Sequence, residues 1–262
     1  MINRMRQAMG AAPVHVDGAL NARSRAAAKC ITKTGQETDL HNPSKAAACN
    51  HAVSWALASR GAGESLMAIG AKVDSAKHQM MQFGSAPFHS LALADPWQTQ
   101  MGFGTYYGTS PNPHTAFTVS VDVTGGAYGS RGPTAPIMAW PATGWSVTGT
   151  TKRGAEWPDP LALCGWRSAG PAMWFARPSS PTATIATGLT LKDSSGHSVK
   201  TRWCRITAAR ANFPDATARA TAKGWLNRMN AEIVFPSVSL KGRYTLTAHV
   251  NGHPVKLPFK AT

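Results

Sequence analysis

The sequence predicts an α+β chain, helical in its first half and an all-β sandwich in its second, and three observations carry this reading. Capped, Ala-rich stretches with helical periodicity dominate the first 83 residues. Short runs of β-branched and aromatic residues between turn signals recur in the second half. Between them, residues 125–136 carry glycine and proline with little apolar content, the composition of a linker or a domain-closing loop. The boundary is placed there, giving domains 1–130 and 131–262, the second an immunoglobulin-like β-sandwich.

In chain order, residues 2–9 read as a short helix stopped by Gly10. Asp17 is an N-cap ahead of Leu20, Ala27 and Ile31, which share a helical face, so a helix runs from about Asp17 to Ile31. Ser44 caps a third over residues 44–59. Ile69, Val73, Ala76 and Met80 fall at helical spacing and predict a fourth over 68–83, ended by Gly84 and Pro87. Residues 101–107 and 116–123 then alternate as strands. Further strands are expected at 182–185, 189–191, 233–235 and 244–250. Asp193-Ser194-Ser195-Gly196 marks a turn, and Asn251-Gly252 between two apolar runs marks a terminal hairpin.

With 262 residues and 43% hydrophobic content, the chain is not a disordered segment. Its charge is unusual: 27 Lys+Arg against 12 Asp+Glu give +15, although only 15% of residues are charged, so the excess reflects scarce acids and not a basic tail. Residues 136–262 hold 16 of the cations and five of the acids, a net +11. No run of apolar residues is long enough for a transmembrane helix. Four cysteines fall two and two along the chain without zinc-ribbon spacing, which predicts bridges Cys30–Cys49 and Cys164–Cys204. Disulfides persist in oxidising compartments, so the protein is expected to be secreted, extracellular or periplasmic.

No HExxH, Gly-x-Ser-x-Gly or phosphate-loop pattern is present, and no catalytic residue is assigned. His41 and His89 stand in loops beside helices, where imidazoles brought together by the fold would make a metal or acid–base cleft. Seven of the nine tryptophans lie in the second half among Arg153, Arg167, Arg177, Arg202 and Arg205. Such a mixture stacks sugars or bases, but aromatic residues on strands more often pack inward, so nucleic acid is not the expected partner.

The order of short motifs carries a further implication. Asn3-Arg4-Met5-Arg6 with Gly10, Leu20 with Ala26-Ala27-Ala28, His41, Ala86-Pro87-Phe88-His89 and Met101-Gly102-Phe103-Gly104 together resemble the CAP superfamily of cysteine-rich secretory, antigen 5 and pathogenesis-related proteins. The likeness spans residues 2–124 and is nearest to the bacterial branch. The strand-rich remainder of the chain, with Glu156-Trp157-Pro158-Asp159-Pro160, resembles the β-sandwich extension of some bacterial members. The resemblance implies an α/β/α sandwich for residues 1–130, secretion, and a shallow cleft where two histidines and two glutamates hold a divalent cation such as zinc. It also implies a lipid or sterol-like ligand in an apolar groove. His41 and His89 match the two histidines. No acid stands within 46–58 or 77–82, where the glutamates are expected, leaving His51, His78 and Asp74 as nearby substitutes. The expected function is therefore a secreted, non-enzymatic protein with a degenerate histidine cleft and at most weakly held zinc, binding a partner, a lipid or an anionic envelope polymer. A metal-dependent hydrolase using His41 and His89, and a polyanion- or glycan-binding protein acting through its basic C-terminal domain, are the alternatives.

Overall fold

The computed structural model describes residues 2–35, 65–70, 76–123, 129 and 132–262, and these are mixed α+β with several sheets and few helices. They fall into two compact units. One is Pro13–Met80 with Trp97–Arg131; the other is Met1–Ala12, Met81–Pro96 and Gly132–Thr262. The cut is expected between 130 and 131; the last crossing between the units falls between Arg131 and Gly132, and two earlier segments cluster with the C-terminal residues. Half of the 125–136 linker, and the helix expected over 44–59, lie outside the described residues.

In the first unit, the helix Gly18–Thr34 begins where expected: the Asp17 carboxylate accepts from the Leu20 N–H at 2.9 Å, and Gly35, at φ 69°, ends it. It lies on a four-stranded sheet in the order His15–Val16, Gln100–Tyr107, Phe117–Asp122, Ser65–Gly70, parallel at the first pair and antiparallel at the others. Gly102 and Gly104 alternate onto the face beneath this helix. A Cβ on either would collide with the helix backbone at Leu20 or at Ser24 and Arg25. Between them the Phe103 N–H donates to Asn21 Oδ1 at 2.7 Å, and Thr32 and Thr118 share a buried hydroxyl bond of 2.9 Å. The helix expected over 68–83 is corrected. Ser65–Gly70 is a strand, and among the described residues of that span the helix is Ala76–Ser85. The Leu66–Gly70 run is short and pairs along its length with Phe117–Asp122, and sheet pairing overrides the helical spacing of Ile69 with later residues.

The second unit holds two four-stranded sheets. One orders Trp203–Ile206, Ala231–Pro236, Met173–Ala176 and Met138–Trp140, all antiparallel. Its two central strands are buried at every position, as in a sheet covered on both faces. The other orders Ala186–Asp193, Gly242–Val250, His253–Ala261 and Ser146–Val147. Here burial alternates, so one face is solvated. The expected terminal hairpin forms: Val250 pairs with His253 across Asn251-Gly252, both at positive φ (49° and 85°), the two-residue turn whose twist suits antiparallel strands.

The C-terminal residues are not all-β, which corrects the expected sandwich. Ala216–Met229 is a 14-residue helix, N-capped by Asp215 onto the Ala218 N–H at 2.6 Å and closed by Asn230 in the left-handed region. Its Ala-rich sequence is strongly helix-forming, and Ala218, Ala222, Trp225, Leu226 and Met229 make one buried stripe. The strand expected at 182–185 is also absent. Two side-chain amides hold that backbone in place of a neighbouring strand: Asn230 bonds Thr184 N and Thr182 O, and Asn251 bonds Ile185 N and Ala183 O. Pairing starts only at Ala186, whose N–H donates to buried Glu232 at 2.7 Å.

Cys164 and Cys204 form the predicted disulfide, joining the short helix Pro160–Cys164 to the strand Trp203–Ile206 across a separation of 40 residues. Cys30, buried in the helix Gly18–Thr34, is likewise disulfide-bonded, while the Cys49 end of the other expected bridge lies outside the described residues. Replacing Cys164 and Cys204 together by alanine is expected to lower unfolding stability by about 4 kcal/mol, since a loop of this length loses its closure constraint in the unfolded chain. Denaturant titration of the oxidised protein against the double variant measures it.

Candidate functional site

The sequence motif Pro87-Phe88-His89 folds as the start of a seven-residue helix, Pro87–Leu93, in which every residue is buried. A buried helix must satisfy its terminal N–H and C=O groups without water. Ala86, at the N-cap, has no side chain that can do so. Glu156 takes its place from 67 residues away: Oε1 accepts from the His89 N–H at 2.9 Å. At the far end the Arg6 guanidinium donates to Leu93 O at 2.6 Å, Asp95 O at 3.0 Å and Ala12 O at 2.9 Å. A carboxyl thus caps the positive end of the helix dipole and a guanidinium the negative end.

Burial dominates the chemistry of both groups. It pushes the Glu156 carboxyl well above the usual 4.5, against the lowering effect of the His89 and Phe88 backbone N–H groups, and nearby Asp159 pushes the same way. It pulls the Arg6 guanidinium down to about 10, with Asp95 opposing. His89 Nδ1 sits 3.4 Å from Glu156 Oε1, and the two side chains are 11% and 3% exposed. The imidazole also meets Phe83 edge-on, ring centres 5.8 Å apart. Around the same helix, Trp174 Nε1 donates to Ser90 Oγ at 2.7 Å, and Arg228 donates to the Asp95 carboxylate at 2.7 Å. An acid and an imidazole in contact resemble a proton-transfer pair, but this acid is engaged with main-chain donors and both groups are sheltered from solvent.

Of the residues singled out in the sequence, His89 is therefore a buried helix residue and not a loop ligand. His78 is exposed on the helix Ala76–Ser85. His41, His51 and Asp74 lie outside the described residues. Among the described residues no three His, Cys, Asp or Glu side chains converge as a metal cage, and the acid beside His89 is a single carboxyl group already bonded to the backbone. Glu156 was not expected in the site. Its only sequence signal is its setting in Glu156-Trp157-Pro158-Asp159-Pro160 in a chain with few acids.

A second arrangement is electrostatic. On the solvated face of the sheet built on Gly242–Val250, Arg243 stands directly opposite Lys260, Thr247 opposite Lys256, and Thr245 opposite Lys192. Lys192, Arg243, Lys256 and Lys260 are exposed, and among the described residues of this sheet no acid shares their face. All five acids of residues 136–262 are engaged elsewhere. Glu156 caps a helix, Asp159 and Asp215 cap their own, Asp193 closes the turn through Ser195 N and His197 N, and Glu232 pairs with Arg205 at 2.6 Å. Like charges directly opposite across strands are destabilising, so the Arg243–Lys260 pair carries a cost that the fold does not offset.

Neither family models nor curated proteins match this chain.

The raised Glu156 carboxyl fixes a pH dependence. The folded state holds this proton more tightly than the unfolded chain, so its contribution is full below the ordinary value of 4.5 and declines as pH rises from there through the raised value. Glu156→Gln is expected to flatten the fall in unfolding free energy between mildly acidic and neutral pH. Glu156→Ala, which leaves the buried His89 N–H without its acceptor, is expected to lose about 2 kcal/mol at acidic pH. Denaturant titrations across pH on the three proteins provide the comparison.

Proposed function

We propose that this is an exported, non-enzymatic binding protein of CAP type whose histidine at position 89 serves the fold, and whose basic C-terminal sheet face adheres to anionic polymers of the cell envelope. The observation that carries the non-enzymatic reading is the engagement of Glu156. Among the described residues, the carboxyl beside His89 caps a buried helix through Oε1 and is only 3% exposed, which argues against its taking a proton from a water or a substrate. The Cys164–Cys204 bridge supports an oxidising compartment, and no described helix is long and apolar enough to cross a membrane.

Anion binding is supported by the four exposed cations on one sheet face and by the consumption of every nearby acid in structural contacts. A flat basic face attracts polyanions mainly by releasing their counterions. The lipid or sterol-like ligand implied by the family likeness has no residue here to specify it and is not part of this reading.

Binding of the whole protein to heparin is expected to weaken steeply with salt, the logarithm of the affinity falling linearly with that of salt concentration. Replacing Lys192, Arg243, Lys256 and Lys260 by glutamine is expected to flatten that slope by about three units, while His89→Ala leaves it unchanged. Heparin affinity chromatography and fluorescence titration over a salt series measure this, and absence of binding at low salt defeats the proposal.

A further inference from the structure

Beside the Arg243–Lys260 pair, the same unit has a groove of about 510 Å³, within the roughly 300–1,000 Å³ typical of small-ligand sites. Arg243 and Lys260 form part of its lining, with the aromatic residues Trp145, Tyr244 and Phe259 and the hydroxyl residues Ser146, Ser194 and Thr245. Trp145 is half-buried, its ring tilted against Trp140 with centres 5.8 Å apart, so it is braced at the groove. Lys260 also pairs with Ser146 on the neighbouring strand. The groove therefore combines three aromatic side chains, four hydroxyls and two cations, the cations held on adjacent strands about 5 Å apart at the backbone.

We propose that this groove binds an acidic saccharide unit, a sugar ring bearing a carboxylate, as the specific contact point of the polyanion binding proposed above, on which this inference rests. The two cations converge on the anionic group, which relieves their mutual repulsion only when it is bound. Trp145 covers the apolar face of the ring, as amphipathic aromatic residues do at polar sites. Ser146, Ser194 and Thr245 supply hydrogen-bonding partners for sugar hydroxyls. Nucleic acid is held by successive aromatic side chains stacking on successive bases, and the rings here do not form such a row: Phe259 is buried and stacked on Tyr244, ring centres 6.0 Å apart, so the arrangement favours a sugar. Lys192 and Lys256, outside the groove, add only the general field of the face.

The test is calorimetric titration of the whole protein at low salt with an oligogalacturonate of ten residues, and with a single-stranded oligonucleotide of ten phosphates. The Arg243→Gln/Lys260→Gln variant is expected to lose about tenfold or more in oligogalacturonate affinity, and Lys192→Gln/Lys256→Gln no more than about threefold. The first pair is exposed and self-repelling, so its variant keeps the fold, and equal or higher thermal stability checks this. Trp145→Ala is expected to match the groove variant. If the two lysine and arginine pairs lose affinity alike, the groove proposal fails while the polyanion reading stands. Tighter binding of the oligonucleotide that also depends on Trp145 replaces the sugar by nucleic acid and overturns the proposal. If neither polymer binds, this inference and the reading beneath it fall together.

Discussion

Seven residues, Pro87–Leu93, are buried from end to end, and the larger unit is organised by the need to satisfy the two ends of that helix. Water cannot reach the free N–H and C=O groups, so charged side chains must come from distant parts of the chain. Glu156 arrives from a loop before the helix Pro160–Cys164, and Arg6 arrives from the helix Ile2–Met9. Arg228 then holds the adjoining Asp95 from the helix Ala216–Met229, and Trp174 reaches Ser90 from the buried sheet. Segments separated by up to 133 residues thus converge on one short stretch. Each interaction places an ionisable group or a polar ring nitrogen in a dry setting, tolerable because each is hydrogen-bonded to a defined partner.

The scarcity of acids connects this interior to the surface. Where acids are abundant, some cap helices and others balance surface cations. In residues 136–262 there are five, and helix caps, one turn and one buried pair with Arg205 take all of them. The solvated sheet face is then left with Lys192, Arg243, Lys256 and Lys260 and no counter-charge of its own. The basic surface follows from composition: what the core requires, the exterior lacks.

Much of the local structure was legible in the sequence. Asp17 announced a helix, Gly10 ended one, Asn251-Gly252 set a hairpin, and neighbouring cysteines gave Cys164–Cys204. These signals act within a few residues or, for the bridge, through simple order along the chain. Contacts of high sequence separation were not legible. Residues 68–70 read as helix because the partner of their strand, Phe117–Asp122, lies some fifty residues on. Residues 182–185 read as strand because nothing local reveals that Asn230 and Asn251 hold their backbone. The helix Ala216–Met229 carried a fair local signal, its Asp215 cap and alanines, but the surrounding β-rich pattern obscured it. At the candidate site, His89 was visible as a residue type, whereas its partner Glu156 lies on the other side of the expected domain boundary.

The segment order of the larger unit also bears on how the chain is made. Its first helix and the Met81–Pro96 stretch leave the ribosome long before Gly132–Thr262, which supplies most of their unit. One sheet waits even longer: His253–Ala261 lies between Gly242–Val250 and Ser146–Val147, and the Thr262 N–H bonds Val147 O. Vectorial synthesis therefore leaves apolar side chains such as Met5, Met9 and Leu91 uncovered until residues far along the chain have been made. A chain of this wiring assembles late and depends on being kept from aggregation meanwhile, and a truncation that removes His253–Ala261 takes out a central strand of the sheet and not a dispensable tail.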